Sequence, residues 1–239
     1  MAAATLAGVV AIPSAGGAPT TRPVVWVQAG HEGPREPGYR AQTGAAGEVQ
    51  FNVRIAAELE RRLRAAGVDA RHSPGRAAGF PSSGAVFVAI HHDAPDGHAA
   101  VGHAITGAGE NWYRGEGFDL PRSTPYPDSA AHRAPATTVS RAVETRSRRL
   151  ASRIRDRYAT VFTRTNGARS GLVRIEARNG NRRVQRYVGY YRTRAEARVL
   201  IESGAGGTDA VMLRRTDVIA KAVTGAIIGH LRDEGRLAR

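Results

Sequence analysis

Three side chains that can carry acid–base or metal chemistry follow short apolar runs in this sequence. They are His31, His91 and Glu202, and a fourth such group, Glu48, lies three residues before Phe51 on an apolar helical stripe. Two imidazoles and one carboxylate are a standard catalytic zinc set that leaves one coordination position open for water. The sequence has no cysteine, so thiolate ligands and disulfides are excluded. Any metal must therefore be bound by His, Asp or Glu.

Each of these residues also has an ordinary structural interpretation. Taken alone, His31 is more often a loop histidine, and Glu48 is more often a first-turn glutamate that interacts with the helix dipole. His91 and His92 point to opposite faces of a strand, so that one of them packs or is solvated. Glu202 alone is an ordinary acid at a strand end. Only their joint placement at one end of one sheet favours a functional site.

The elements that must position these groups are predicted from hydrophobic periodicity. Strands are predicted at residues 24–27, 68–72, 86–90 and 199–201. Apolar stripes of helical period run through residues 48–66, 139–161 and 218–231, and Gly67 is well placed to end the first helix. A turn is predicted at residues 203–207, immediately after Glu202.

This alternation of strands and helices predicts an α/β fold. We expect a single domain, residues 24–239, with a mixed, mostly parallel sheet and helices on both of its faces. In open α/β sheets, ligands lie beyond the carboxyl ends of the strands. The four chemical groups are therefore predicted to meet at that edge.

Three segments fall outside this scheme. Residues 1–23 are predicted to be a leader, signal-like or disordered, because an apolar stretch precedes small residues but the first basic residue is Arg22. Residues 106–137 are rich in Gly and Pro with scattered aromatics, which predicts a functional flap or a substrate-contacting loop. Residues 172–190 read as a hairpin around Asn179-Gly180.

The charge of the chain indicates a class of partner. The formal net charge is +14, and Lys221 is the only lysine, so nearly all of the positive charge is arginine. A basic surface concentrates polyanions, which include nucleic acid, acidic lipid and anionic cell-wall polymers. No nucleic-acid-binding motif is present, so we expect no nucleic-acid partner. The N-terminal apolar run is too short to span a bilayer.

Four short motifs occur in one order along the chain. They are Gly30-His31, Glu48 with Asn52 and Ile55-Ala56, the run from Phe87 to His91, and residues 199–204 with Glu202. This pattern resembles the catalytic domain of zinc-dependent N-acetylmuramoyl-L-alanine amidases, the cell-separation and sporulation type of peptidoglycan hydrolase. Residues 147–154 also resemble the middle helix of that family, and the match extends over residues 24–231. Gln28-Ala29 stands where the family has Asp-Pro.

The resemblance implies roles for individual residues. His31, Glu48 and His91 would bind Zn²⁺, and Glu202 would be the catalytic acid and base. His91 is preferred to His92 because it directly follows the Phe-Val-x-Ile run. The implied reaction is hydrolysis of the amide bond between N-acetylmuramic acid and L-alanine by a zinc-bound water.

The implied partner is peptidoglycan, and the implied location is outside the cell, in the wall or the periplasm. The arginines of the middle helix would then face the anionic wall, with an ordinary solvated face as the alternative; they include Arg146, Arg149, Arg153 and Arg157. Two other functions remain open. One is a related zinc amidohydrolase or carboxypeptidase that acts on a small acidic amide, and the other is a non-enzymatic basic binding domain.

Overall fold

The computed structural model describes residues 21–32, 47–74, 83–93, 98–106, 139–166, 174–177, 193–205, 209 and 214–238. Of the predicted leader, residues 1–20 lie outside the described residues. The predicted loop at 106–137 lies outside them except for Thr106, and so does the predicted turn at Asn179-Gly180.

A six-stranded sheet forms the centre of the described structure. Its strands are β1 (Val24–Ala29), β2 (Asp69–Pro74), β3 (Val86–Asp93), β4 (Ala100–His103), β5 (Arg174–Ala177) and β6 (Ala197–Ala205). Their order across the sheet is β2-β1-β3-β6-β4-β5. Strands β2, β1, β3 and β6 pair in parallel, whereas β4 is antiparallel to β6 and parallel to β5. The prediction of a mixed, mostly parallel sheet is confirmed.

The strands differ from their predicted extents mainly at their carboxyl ends. Strand β3 continues past Ile90 to Asp93, and β6 continues past Ile201 to Ala205, so His91 and Glu202 lie inside strands. The turn predicted at 203–207 is therefore wrong for residues 203–205, which are buried strand residues. The two extensions pair with each other, with His91 aligned to Glu202 and Asp93 to Ala205. Strand β4, only four residues long, was not predicted.

Three helices follow the predicted stripes. They are α1 (Glu48–Ala65), α2 (Arg141–Asn166) and α3 (Thr216–Asp233). Helix α1 ends as Gly67 predicts: Gly67 has φ 82°, and the Val68 N–H donates to the carbonyl of Leu63 at 3.0 Å. This is the Schellman arrangement, in which a left-handed glycine satisfies the last helical carbonyls.

Alternate residues of β3 divide between two apolar clusters. Val86, Val88 and Ile90 belong to the larger cluster, to which all three helices contribute buried residues. Phe87 and Ala89 belong to the smaller one, against which Val143 of α2 also packs. Within the described residues no helix is long and apolar enough to cross a membrane.

Candidate metal centre

Three of the four predicted side chains converge at the carboxyl ends of β1 and β3. One ligand atom from each of His31, Glu48 and His91 lies within 4.8 Å of the others. Glu48 Oε1 is 3.0 Å from His91 Nδ1 and 3.4 Å from His31 Nε2. Zinc bonds of about 2.0–2.2 Å in a tetrahedral site put neighbouring donor atoms about 3.3–3.6 Å apart. The two separations from Glu48 Oε1 are close to this range, so the three side chains could hold a small divalent ion.

His31 occupies a turn directly after β1. Its φ of 60° is the only positive φ of a non-glycine residue in the described part of the chain. Histidine is among the residues that tolerate the left-handed region, and strained backbone of this kind concentrates at functional sites. The turn is fixed to the sheet because the Gly30 N–H donates to the Ile90 carbonyl at 2.8 Å. The backbone thus presents the imidazole of His31 above β3.

The glycine that precedes His31 is required by packing. A Cβ atom added to Gly30 would overlap the imidazole ring of His91. The rings of His31 and His91 meet edge to face, with centroids 5.0 Å apart and an interplanar angle of 84°. A side chain at position 30 would therefore displace the imidazole of His91, so the site itself requires glycine before His31.

Glu48 is the first residue of α1 and is only 3% exposed. Burying a carboxylate is costly unless donors or positive charge compensate it. Asn52 Nδ2, one helical turn later, lies 3.3 Å from Glu48 Oε1 and 3.0 Å from the Gly30 carbonyl oxygen. Asn52 thereby joins the helix to the His31 turn. Asn52 has no role in the sequence prediction, although its spacing of four residues from Glu48 places the two side chains on one face of the helix.

The two neighbouring histidines of β3 have different environments. The imidazole of His91 belongs to the cluster, whereas that of His92 meets the ring of Phe51 edge to face at 5.6 Å. Both ring nitrogens of His92 are buried and have no hydrogen-bond partner among the described residues. Burial lowers the pKa of His92, so its ring is neutral at physiological pH. In the described structure His92 is a packing residue.

Glu202 lies beside the cluster, on the strand next to His91. The two residues are aligned across the parallel ladder of β3 and β6, so their side chains emerge on the same face of the sheet. Glu202 is 5% exposed, and it does not belong to the three-residue cluster. A carboxylate beside a metal site that does not itself bind the ion is suited to proton transfer.

A buried hydrogen-bond chain fixes this part of the sheet. The Ser203 hydroxyl donates to the His91 carbonyl at 2.8 Å, and the hydroxyl of Tyr158 donates to the Ser203 carbonyl. Tyr158 is fully buried, and burial raises its pKa well above the usual value. These hydrogen bonds connect α2 to β6 and β6 to β3 beside His91 and Glu202. Nothing in the sequence alone indicated it.

A second network ties the His31 turn to β2 and α1. His72 Nε2 lies 2.7 Å from Glu32 Oε2, and His72 Nδ1 lies 2.6 Å from Glu60 Oε1. The hydrogen bond to Glu60, opposed by desolvation and reinforced by Glu32, raises the pKa of His72 to about 9. His72 is therefore a cation between two carboxylates at neutral pH. This network is not predictable from the sequence because it joins three separate elements.

Comparisons with known proteins identify the fold. No family model matches the chain, and no curated protein is detectably similar to it in sequence. Among solved structures, it is similar to the N-acetylmuramoyl-L-alanine amidase from Clostridium difficile 630, with a TM-score of 0.51 and 16% identity over 90% of this chain and 99% of that one.

Two further structures give the same result. The catalytic domain of the CD27L endolysin, which targets Clostridia difficile, has a TM-score of 0.50 and 15% identity over 87% of this chain and 98% of that one. Cwp6 from Clostridium difficile has a TM-score of 0.50 and 16% identity, over 87% of this chain and 29% of that one. The likeness establishes that this chain has the fold of these domains.

Proposed function

We propose that this protein is a zinc-dependent hydrolase that cleaves the amide bond between N-acetylmuramic acid and L-alanine in peptidoglycan. The observation that carries the proposal is the convergence of His31, Glu48 and His91 at one sheet edge, with Glu202 aligned beside them. The fold is shared with an N-acetylmuramoyl-L-alanine amidase and with an endolysin catalytic domain. Fold alone does not determine function, so the site residues carry the argument.

His31, Glu48 and His91 would hold the metal. Their donor set of two imidazoles and one carboxylate, with separations of 3.0 and 3.4 Å about Glu48 Oε1, suits Zn²⁺. When bound, the ion supplies Lewis acidity that polarises the amide carbonyl and makes water nucleophilic near neutral pH. The network around Glu48, with Asn52 as donor, orients the carboxylate toward both imidazoles.

Glu202 would move the proton. Its carboxylate accepts a proton from the attacking water and delivers it to the departing nitrogen of L-alanine, so that the amine leaves neutral. Two features support this role: Glu202 lies outside the metal cluster, and it is aligned with the ligand His91. The hydrogen bond from Ser203 to the His91 carbonyl holds the two strands in that alignment.

The charge of the chain supports an extracellular anionic substrate. At a net charge of +14 the protein is attracted to the carboxylates of a peptidoglycan network. Because the proposed substrate lies outside the cytoplasm, we also propose export to the cell wall or periplasm. A related enzyme that cleaves a small acidic amide would use the same four residues, so the products must separate the two functions.

The test is digestion of purified peptidoglycan by the zinc-loaded protein. An amidase releases stem peptides that carry a new L-alanine amino terminus, which mass spectrometry and amine labelling detect. Glu202→Gln should slow the release by about 10²–10⁴-fold, whereas Arg22→Gln, outside the site, should not change it. Cleavage elsewhere in the stem peptide, or of small amides alone, would overturn the proposal.

A further inference from the structure

A basic cleft of about 530 Å³ lies between the second half of α2 and the first half of α3. Three cationic side chains line the cleft: Arg157 of α2, Arg215 at the N-cap of α3, and Lys221 of α3. No acidic residue among those described lines it. Val161 and Val218 form apolar walls. The cleft therefore combines a cluster of positive charge with surface for carbon atoms.

The cleft lies toward the same edge of the sheet as the candidate metal centre. Helix α3 follows the carboxyl end of β6, and its first turn carries the cleft residue Val218. On α2, Arg157 precedes Tyr158, whose hydroxyl donates to the carbonyl of Ser203 beside Glu202. A long polymer could therefore contact both places.

The arginines of α2 do not all face solvent in the same way. Arg146 lies 3.3 Å and Arg149 3.8 Å from carboxylate oxygens of Glu234, and Arg153 forms an ion pair with Asp233. Among the described residues Arg157 has no acidic partner. Of the four α2 arginines predicted to face a polyanion, Arg157 near the end of the helix is therefore the one whose charge is not neutralised by a described acid.

A comparison of Arg153 with Arg157 shows how the cleft is built. Arg153 lies over Gly229 and Arg157 lies over Gly225, since a Cβ added at either glycine would come within 2.9 and 2.8 Å of the respective guanidinium nitrogen. Both arginines are thus packed on α3 in the same manner, one turn apart. Asp233 neutralises only the first. The second guanidinium is held in place, with its charge open to the cleft.

The other two cations are also weakly neutralised. Lys221 is exposed and has no acidic partner among the described residues. Arg215 lies 3.5 Å from Asp217, and both side chains are more than half exposed, so this pair contributes little. The cleft therefore retains a net positive charge.

We propose that the cleft binds phosphate groups of a phosphodiester-linked anionic polymer of the cell wall. Cations that approach from two helices match a tetrahedral group that accepts hydrogen bonds in several directions, whereas a planar carboxylate is satisfied by one guanidinium fork. The apolar walls at Val161 and Val218 suit the carbon units between phosphates. That the polymer belongs to the wall rests on the proposed function.

The direct test is binding of fluorescent polyphosphate, measured by anisotropy over a series of salt concentrations. The cleft variant is Arg157→Gln with Lys221→Gln. The control variant, Arg149→Gln with Arg153→Gln, removes the same formal charge from paired arginines of the same helix. We expect the Kd to rise about tenfold in the cleft variant and less than about twofold in the control. The salt dependence should weaken by a slope of about 1.5 for two lost phosphate contacts.

Several results would overturn the proposal. Equal losses in both variants would mean that binding reflects diffuse charge. Tighter binding of polyglutamate than of polyphosphate would assign the cleft to carboxylates. A cleft-dependent affinity for phosphatidylglycerol vesicles that exceeds the affinity for polyphosphate would assign it to a membrane. Unchanged melting temperatures will show that both variants are folded.

Hydrolysis separates this proposal from the proposed function. On peptidoglycan stripped of phosphate polymers, the cleft variant should act at the rate of the unmodified protein, because the cleft residues lie outside the catalytic machinery. On walls that retain those polymers, it should act more slowly than the control. If the unmodified protein hydrolyses neither, the proposed function fails while the binding result still decides the cleft.

Discussion

The two histidines of the candidate metal centre are held in very different ways. His91 lies within a regular strand, where the parallel ladder aligns it with Glu202. His31 lies in a turn with φ 60°, outside the ladder, and depends on contacts from other elements. Those contacts run through Gly30 to β3, through Asn52 to α1, and through Glu32 to His72. A strand fixes a side chain through its backbone, whereas a turn needs side-chain tethers to reach the same precision.

The largest expected effect comes from removing the strand-borne ligand. His91→Ala should lower the affinity for zinc by more than about 100-fold and abolish hydrolysis. Loss of a hydrogen-bond partner of a ligand costs up to about 100-fold, and loss of the ligand itself should cost more. Zinc content by mass spectrometry and chelator competition measure this. His92→Ala is the matched control in the same strand and should keep its metal. Metal retention in His91→Ala with loss in His92→Ala would reverse the assignment of the two.

The next effect concerns the partner of His91 across the ladder. Glu202→Gln keeps the size of the side chain but removes its basic carboxylate. Turnover should fall by about 10²–10⁴-fold while zinc stays bound. Release of stem peptides and zinc content are measured on the same preparation. Zinc lost together with activity would make Glu202 a ligand, and near-normal turnover would remove it from proton transfer.

A smaller effect is expected where the turn meets the strand. In Gly30→Ala, the new methyl group collides with the His91 ring, so the protein should lose about 1–3 kcal/mol of stability and bind zinc more weakly. Gly67→Ala is the control, because a Cβ there meets nothing within 4 Å and only the backbone at φ 82° is strained. It should lower the melting temperature without changing zinc affinity. Equal zinc affinity in both variants would refute the packing argument.

The smallest effect concerns the tether of the turn. His72→Gln should weaken zinc binding by about tenfold or less, because His72 acts on His31 only through Glu32. Its contribution to stability depends on pH. The pKa of His72 is raised to about 9, so its stabilisation is complete below the usual value of 6.5 and disappears as the pH rises through about 9.

Thermal unfolding of the metal-free protein tests this pH dependence without interference from the ligands. The difference in melting temperature between the unmodified protein and His72→Gln should shrink as the pH rises from 6.5 to about 9. Glu32 and Glu60 are the charged groups that face the imidazole, so Glu60→Gln should reduce the same difference. A constant difference across this range would show that the network does not depend on protonated His72.

Sequence reasoning succeeded where a short pattern controls the structure. Apolar stripes of helical period predicted the helices, Gly67 predicted the end of α1, and apolar runs predicted the central strands. The convergence of His31, Glu48 and His91 could be predicted because residue type and position at the end of a strand or the start of a helix are local properties. Strand β4 was missed because four residues, one of them Gly102, carry no usable periodicity.

What sequence reasoning could not supply depends on contacts between distant segments. Asn52, Ser203 and His72 contact the site region through hydrogen bonds to residues of other elements. The difference between Arg153 and Arg157 is of the same kind, because among the described residues Asp233 of α3 pairs with Arg153 and no acid pairs with Arg157. No spacing along one segment encodes such partners.

The place of β6 in the sheet bears on how the site comes into existence. It is the last of the described strands in the chain, yet it lies in the middle of the sheet, between β3 and β4. Until β6 has been synthesised and inserted, the edge of β3 beside His91 has no partner strand, and Glu202 is absent from its position. Such long-range closure is slow and leaves exposed strand edges that associate readily. Insertion of β6 therefore closes the sheet and brings Glu202 beside His91 in one step, so the open sheet edge and the incomplete candidate site disappear together.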